Sequence, residues 1–254
     1  MILAIDIGNT NIVIGCCDDE KIYFIERLST NYPKTELEYA ISFKNVLELY
    51  GIDASQIEGG IISSVVPPIT NIVRASVEKV LGKTVKIVGP GVKTGLNILM
   101  DNPAQVGSDR IVNAVAAINE YPAPLIIIDM GTATTFCVID EKKNYIGGMI
   151  LPGVRISLDA LTSRTSQLSK ISIEAPKKTI GKNTIDCMKS GIIHGNAACI
   201  DGMVKRIEHE LGQKATVLAT GGLARKIVPY CEQRILIDDE LLLKGLRLIY
   251  NKNK

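Results

Sequence analysis

The stretch Ile2-Leu3-Ala4-Ile5-Asp6-Ile7-Gly8-Asn9-Thr10, at the start of the chain, decides the fold. It recurs as Ile126-Ile127-Ile128-Asp129-Met130-Gly131-Thr132-Ala133-Thr134, so that Asp6 and Gly8 match Asp129 and Gly131 at one offset of 123 residues. In each copy a run of apolar residues typical of a buried strand enters an Asp-x-Gly turn, and a second apolar segment follows. The repeat therefore predicts one β-hairpin in each half of the chain.

The segments that follow the two hairpins also correspond. Thr35 and Glu38 form a capping box before a helical pattern that Gly51 can end, and a second helical pattern starts near Thr184 and runs to Gly212. The further strands predicted from apolar runs cover residues 12–17, 21–28, 60–64, 135–139, 144–151 and 215–219. Each half therefore reads β-β-β-α-β-α, and because no linker separates them we predict two α/β lobes, residues 1–118 and 119–254.

The composition is that of an ordinary globular protein. Apolar residues make up 46% of the 254 residues and charged residues 22%, which excludes a disordered chain. The 29 Lys and Arg residues against 27 Asp and Glu residues leave a net charge of +2. Such a balance gives no strong basic field, so we expect neither nucleic acid nor a membrane as a partner.

The cysteines and the N-terminus indicate the cellular compartment. Six cysteines form no Cys-x-x-Cys pair, and only His194 and His209 could supplement them, so a structural zinc site is not expected. The first apolar run carries Asp6 and lacks both a basic region and a small-residue cleavage site. We therefore expect a cytoplasmic protein with reduced thiols.

An Asp-x-Gly turn at the end of a strand has two interpretations. It can be a plain hairpin turn with a local hydrogen bond from Asp, or it can offer backbone N–H groups and a carboxylate to a phosphate and its cation. Two copies in duplicated lobes favour the second interpretation, since both are rich in hydroxyl and amide side chains (Asn9, Thr10, Asn11; Thr132, Thr134, Thr135). The sequence thus predicts binding of a polyphosphate.

A third motif, Gly107-Ser108-Asp109-Arg110, precedes a helical pattern. Ser108 or Asp109 could simply cap that helix, because both residue types are preferred at helix N-termini. Alternatively, Asp109 could accept the proton of a substrate hydroxyl while the Arg110 guanidinium binds a carboxylate or phosphate. The second alternative fits the acceptor site of a phosphoryl transferase.

The order of the motifs resembles that of a large family of phosphotransferases and ATPases. Thr220-Gly221-Gly222 follows a predicted strand after the second Asp-x-Gly hairpin, as the adenosine motif does in the family that includes actin, the heat-shock chaperones and the sugar and acetate kinases. The resemblance implies two duplicated ribonuclease H-like, actin-like lobes. It also implies that Asp6–Asn11 and Asp129–Thr135 correspond to the first and second phosphate motifs.

More specific signatures resemble one branch, the type III pantothenate kinases. They are Asp6-Ile-Gly-Asn-Thr10-Asn, Ile62-Ser-Ser-Val-Val-Pro67-Pro, Asp101-Asn-Pro103 with Gly107-Ser-Asp-Arg110, Asp129-Met-Gly-Thr-Ala-Thr-Thr135, Gly147-Gly-Met-Ile-Leu-Pro-Gly153 and Arg164-Thr. The resemblance implies transfer of the ATP γ-phosphoryl group to the terminal hydroxyl of pantothenate, giving 4′-phosphopantothenate in coenzyme A biosynthesis. It further implies a cytoplasmic homodimer that uses magnesium and either potassium or ammonium.

The same resemblance assigns roles to residues. Asp109 would be the catalytic proton acceptor, Asp129 would bind the monovalent cation, and Asp6 would bind magnesium, directly or through water. Thr184 would contact pantothenate held by the other subunit, although at the start of its helix it could instead be an N-cap. The remaining expected contacts are Gly107, Ser108, Asp109 and Arg110 with pantothenate, and Asp6, Ile7, Gly8, Asn9, Thr10, Asn11, Ile12, Val13 and Thr132 with ATP.

The chain departs from the family pattern at Met100, where the family usually has Tyr immediately before Asp-Asn-Pro. Loss of the phenol predicts a different or weaker contact with pantothenate. A non-catalytic, actin-like nucleotide-binding regulator is the alternative function, but it would need no Asp-Arg acceptor turn. Sugar and acetate kinases are a further alternative, and these chains are generally longer.

Overall fold

The computed structural model describes residues 1–30 and 33–254. Strands and helices are interspersed along the chain. The strands are β1 (Ile2–Ile7), β2 (Asn11–Cys17), β3 (Ile22–Ser29), β4 (Gly59–Ser64), β5 (Val85–Ile87), β6 (Asn97–Ile98), β7 (Leu125–Met130), β8 (Ala133–Ile139), β9 (Asn144–Pro152), β10 (Thr216–Thr220) and β11 (Leu236–Ile237). The α-helices are α1 (Glu36–Leu49), α2 (Pro67–Leu81), α3 (Ser108–Glu120), α4 (Val154–Ser163), α5 (Thr184–Leu211), α6 (Ala224–Ile227) and α7 (Leu241–Lys252).

The chain divides into two compact units. The first comprises Met1–Leu96, Asp101–Ala116 and Leu241–Lys254, and the second comprises Asn97–Met100 and Ala117–Glu240. No helix within residues 1–30 and 33–254 is long and apolar enough to cross a lipid bilayer.

The first unit contains a five-stranded sheet in the order β3-β2-β1-β4-β5. Strands β1, β2 and β3 pair antiparallel, whereas β4 and β5 run parallel to β1. One sheet face packs on α1 and α2 through a core that includes Ile5, Ile62, Phe43 and Val73. The other face, with Ile2, Ala4 and Ile61, packs on α7 and the first turns of α3.

The second unit repeats this arrangement. Its sheet has the order β11-β10-β7-β8-β9-β6, so β7, β8, β9, β10 and β11 occupy the places of β1 to β5, and β6 extends the edge at β9. Strands β7, β8 and β9 pair antiparallel and β10 runs parallel to β7. Its core joins one sheet face to α4 and α5. The prediction of two duplicated, ribonuclease H-like lobes is confirmed.

The local signals in the sequence set the helix ends. The Thr35 N–H donates to Glu38 Oε2 at 2.7 Å, and the Glu38 N–H donates to Thr35 Oγ1 at 3.4 Å, so the predicted capping box starts α1. Helix α5 covers Thr184–Leu211, as predicted, and ends at Gly212 with φ +69°. Glycine is favoured in this left-handed backbone conformation because glycine lacks a Cβ.

The units differ from the predicted ranges 1–118 and 119–254. Helix α7 lies in the first unit because its apolar side chains, including Leu243 and Leu246, complete the core on the β1–β4 face. Gly245 of α7 packs directly against the carbonyl of Val112, where a Cβ would not fit. The second half also carries an additional helix, α4, between β9 and α5.

Candidate active site

The first Asp-x-Gly turn is a tight hairpin held by the residue that follows β3. The Gly8 N–H donates to the Asn11 carbonyl at 3.0 Å, and a Cβ at position 8 would lie 3.1 Å from that oxygen. Thr30 fixes the turn from outside, because its hydroxyl donates to the Gly8 carbonyl at 2.6 Å and its N–H donates to the Thr10 carbonyl at 3.0 Å. The turn residues 9–11 are exposed, so their polar groups can meet a ligand.

Asp6 lies at the end of β1 and is largely buried, with 9% of its surface exposed. Its lateral neighbours are Val13 on β2 and Ser63 on β4. Paired residues of neighbouring strands point to the same sheet face, so Asp6 and Ser63 share the face that α3 and α7 cover. The carboxylate therefore lies on the side of the sheet where α3 begins.

The N-terminus of α3 carries the predicted acceptor motif. Ser108 Oγ lies 3.0 Å from Ser63 Oγ and also contacts the backbone of Ser64 on β4. The Asp109 carboxylate accepts from the Arg110 N–H at 2.8 Å and stands in the first turn, where the helix dipole favours negative charge. Gly107 leaves room for it, because a Cβ at that position would come within 2.5 Å of Asp109 Oδ1.

The second Asp-x-Gly turn is also a tight hairpin, one residue shorter than the first. The Gly131 N–H donates to the carbonyl of Ala133, two residues on, at 3.0 Å, whereas the Gly8 N–H donates to Asn11, three residues on. Asp129 is the next-to-last residue of β7 and lies between Thr135 on β8 and Thr220 on β10. The two halves thus present equivalent carboxylates, but the neighbours of Asp129 are both hydroxyl side chains.

The glycine motif after β10 packs against this carboxylate. Gly221 has φ +93°, and a Cβ there would lie 2.5 Å from Asp129 Oδ1 and 2.7 Å from the Met130 nitrogen. The Leu223 N–H donates to the Met130 carbonyl at 3.2 Å, which holds the turn in place. Within the second unit, the structure therefore brings the predicted adenosine motif next to the predicted second phosphate motif.

Two threonine hydroxyls of β8 are buried without a hydrogen-bond partner among the residues that the structure describes. Thr135 faces the same side as Asp129, its cross-strand partner, whereas Thr134 pairs with Met130 on the core side. Buried polar atoms are generally hydrogen-bonded. The Thr135 hydroxyl beside a carboxylate is therefore suited to a ligand, and the oxygen pair suits a cation.

Thr184 occupies the first turn of α5 and is exposed. Its interpretation as an N-cap is wrong, because Asn183 is the cap: its Oδ1 accepts from the Asp186 N–H at 2.9 Å. Thr184 borders a groove of about 570 Å³ between α4 and α5 whose other lining residues include Ser157, Leu161 and Met188. Its placement on this surface leaves the predicted contact with substrate available.

Comparison of the sequence with known protein families shows to which family the chain belongs. The family model described as type III pantothenate kinase matches residues 2–206. The chain belongs to the type III pantothenate kinase family. A member from Halalkalibacterium halodurans is 50% identical over 253 residues, covering 100% of both chains, and one from an Exiguobacterium strain is 48% identical over 254 residues, again covering 100% of both.

Solved structures support the fold of this family member. The activator of the 2-hydroxyisocaproyl-CoA dehydratase from Clostridium difficile, solved with bound ADPNP, aligns with a TM-score of 0.57 at 16% identity and covers 99% of this chain and 94% of its own. At this identity the likeness concerns the fold alone, and it agrees with the duplicated sheet topology.

The predicted site residues fall into two groups. The first unit carries Asp6–Val13 and the turn 107–110, and the second carries Asp129, Thr132, Thr184 and Met100. Sequence reasoning gave no role to Ser63, although it lies in the quoted segment 62–68, and none to Gly153, which packs against the carbonyl of Thr132 so closely that a Cβ would not fit. The position of Ser63 beside Asp6 follows from the parallel register of β1 and β4, which only the structure shows.

Proposed function

We propose that this protein transfers the γ-phosphoryl group of ATP to the terminal hydroxyl of pantothenate, giving 4′-phosphopantothenate in coenzyme A biosynthesis, in the cytoplasm. The observation that carries the proposal is the full-length identity of 50% with a type III pantothenate kinase, together with the carboxylate at the start of α3. All six cysteines are free thiols, in keeping with a reducing compartment.

Asp109 is the proposed catalytic residue. Phosphoryl transfer passes through a loose transition state, so the acceptor hydroxyl needs alignment more than a strong base. Asp109 stands in the first turn of α3, and the oxygens of its side chain can accept a hydrogen bond. Asp109 would therefore orient the hydroxyl of pantothenate and take its proton late, while Arg110 binds the carboxylate of pantothenate.

The hairpins supply the nucleotide contacts in this proposal. In the first unit, the backbone and polar side chains of residues 6–13 would bind phosphate oxygens. In the second unit, Thr132 would contact ATP, and the bare backbone at Gly221 would lie beside the nucleoside. Water exclusion around the transferred group would limit wasteful hydrolysis of ATP.

The residues present fit the cations that the family implies. The described residues contain no group of three or more His, Cys, Asp or Glu side chains that could cage a metal. Magnesium bound with ATP needs only one or two carboxylates besides phosphates and water, and Asp6 would supply one. Asp129 with the Thr135 hydroxyl would hold potassium or ammonium. When bound, these cations neutralise charge on the phosphates.

A homodimer is part of the proposal. Thr184 is exposed on a groove whose apolar residues include Leu161, which is 38% exposed, and Ile185 nearby is 52% exposed. Apolar surface of this kind is commonly covered in an assembly. The second subunit would bring its Thr184 to the pantothenate bound at Asp109 of the first.

A coupled assay tests the function. With ATP, magnesium and potassium, we expect phosphorylation of pantothenate but not of simple sugars or acetate. The Asp109→Asn variant is the matched control, and its turnover should be about 10²–10⁴ times lower at nearly unchanged ATP affinity. Binding of ATP without a phosphorylated product would instead support a nucleotide-binding regulator, and wild-type turnover by the Asn variant would contradict the role of Asp109.

A further inference from the structure

A buried hydroxyl pair joins β4 to the start of α3. Ser63 is fully buried, and its Oγ lies 3.0 Å from Ser108 Oγ, although the two residues are 45 positions apart in sequence. Ser108 Oγ also lies 3.0 Å from the nitrogen and 3.0 Å from the carbonyl oxygen of Ser64. The Ser108 side chain, at the N-terminus of α3, thus contacts two consecutive residues at the end of β4.

The protons of this cluster can be assigned from its chemistry. A hydroxyl has one proton to donate and two lone pairs to accept with. The Ser64 carbonyl can only accept, so Ser108 donates to it, and the Ser64 N–H can only donate, so Ser108 accepts from it. The remaining lone pair of Ser108 accepts from the Ser63 hydroxyl. Ser63 therefore supplies the bond that completes the hydrogen bonding of Ser108.

The link runs between the two parts of the first unit that the reaction uses. At one end, Ser63 is the lateral neighbour of Asp6 and faces the same side of the sheet. At the other end, Ser108 is followed directly by Asp109. The Ser64 side chain is directed elsewhere, toward Thr70 at 2.7 Å and the Val66 N–H at 3.1 Å. The bond from Ser63 to Ser108 is therefore a direct side-chain connection from the Asp6 position to the helix start.

We infer that Ser63 is a positioning residue for phosphoryl transfer, which acts through Ser108 to hold Asp109 at a fixed place relative to Asp6. The inference rests on the proposed function, since it takes Asp109 as the proton acceptor. Misplacement of a reacting group by about 1 Å can lower a rate by 10²-fold, so a bond that fixes the helix start has kinetic consequences. The inference also gives the Ser108 hydroxyl a structural role, because the hydrogen bonds of this hydroxyl are made within the protein.

The test is Ser63→Ala, measured for kcat, for the KM of pantothenate and for ATP affinity. We expect kcat to fall about tenfold at unchanged ATP affinity, a modest share of the loss that misplacement can cause. Ser76→Ala is the matched control, because Ser76 is also fully buried in the first unit and its hydroxyl lies within hydrogen-bond distance of the Ile72 and Glu36 carbonyls, within and next to α2. The control should keep its wild-type kcat.

A double variant separates positioning from general stability. In the Asp109→Asn background Ser63→Ala should lower the remaining rate by less than about twofold, because there is no longer a carboxylate to position. Equal effects in both backgrounds, or a wild-type kcat in folded Ser63→Ala, would overturn the inference. Ser108→Ala is the second variant, for the case that Ser63→Ala does not fold. A positioning role predicts that Ser108→Ala lowers kcat at a constant KM for pantothenate. A higher KM at constant kcat would indicate direct contact of Ser108 with pantothenate and would overturn the inference.

The same measurements show which proposal fails. If the wild-type protein does not phosphorylate pantothenate, or if Asp109→Asn is fully active, the proposed function is wrong and the inference is rejected with it. If wild type and Asp109→Asn behave as proposed while Ser63→Ala and Ser108→Ala both keep their wild-type kcat, only the role of Ser63 is rejected.

Discussion

Gly221 lies against the carboxylate of Asp129, with its α-carbon placed so that a Cβ would come within 2.5 Å of Asp129 Oδ1. The two residues are far apart in sequence, and the parallel pairing of Thr220 with Asp129 brings them together. The glycine motif and the second Asp-x-Gly turn therefore form one local structure, in which the backbone of Gly221 lies close to the carboxylate of Asp129.

Gly221→Ala should damage this structure in two ways. The new Cβ would contact the Met130 backbone as well as Asp129, and φ +93° is unfavourable for alanine. We expect a loss of about 1–3 kcal/mol in the free energy of unfolding, together with weaker ATP binding. Urea unfolding and equilibrium titration with ATP measure the two effects.

Gly212→Ala is the control for Gly221→Ala. Gly212 has φ +69°, but a Cβ added there would meet no atom within 4 Å, so this variant isolates the backbone cost. It should cost about 1 kcal/mol and leave ATP affinity unchanged. Equal ATP affinities in all three proteins would contradict a contact between the glycine motif and the nucleotide.

Gly107→Ala should move Asp109 while leaving the fold intact. The Cβ would lie 2.5 Å from Asp109 Oδ1 and at an ordinary 3.6 Å from Val65. Because the nearest atom is the end of a side chain, the carboxylate can rotate away at little cost in stability. We expect kcat with pantothenate to fall by at least about tenfold at unchanged ATP affinity and melting temperature, since orientation is lost. A wild-type kcat would show that the position of this carboxylate is not critical.

The local patterns of the sequence were sufficient to predict much of the fold and less of the site. The Asp-x-Gly repeat, the capping box at Thr35 and the glycine at 212 act over a few residues, so they could be interpreted without a structure. The Ser63–Ser108 bond depends on strand register and helix placement, which no local pattern encodes. Thr184 and Asn183 can both cap a helix. A shift of one residue in the start of α5 determines which of the two is the N-cap.

The monovalent cation should depend on Asp129 and Thr135. Activity and melting temperature of the wild type should be higher in potassium or ammonium than in sodium alone, because a bound ion stabilises the folded state. Thr135→Val removes the hydroxyl that shares a face with Asp129, and we expect it to abolish the gain in melting temperature from potassium.

Thr134→Val is the matched control for this cation site, since Thr134 is the adjacent buried hydroxyl on the opposite face. It should keep the response to potassium. Equal melting temperatures and activities of the wild type in sodium and in potassium would contradict a bound monovalent cation. Equal responses of the two valine variants to potassium would contradict the role of Thr135 in binding it.

Cysteine labelling tests whether another subunit covers the groove beside Thr184. Cys187 lines that groove and is exposed, and Cys199, farther along α5, is exposed as well. Burial raises the pKa of Cys16 to about 11 and that of Cys17 to about 12, so neither thiol should react at about pH 8. Mass spectrometry after alkylation should find Cys199 modified faster than Cys187 if the groove is covered, and equal rates for the two would contradict a covered groove.

Thr184→Ala should raise the KM for pantothenate and leave ATP affinity unchanged, because the helix cap is made by Asn183 and does not need the threonine hydroxyl. If Thr184 serves the partner's pocket, mixing Thr184→Ala subunits with Asp109→Asn subunits forms heterodimers with one pocket free of both changes. At low pantothenate the mixture should regain roughly a quarter of wild-type activity, since random exchange makes half of the dimers mixed, each with one intact pocket. Full activity of a protein that sediments as a monomer would show that Thr184 acts, if at all, within its own subunit.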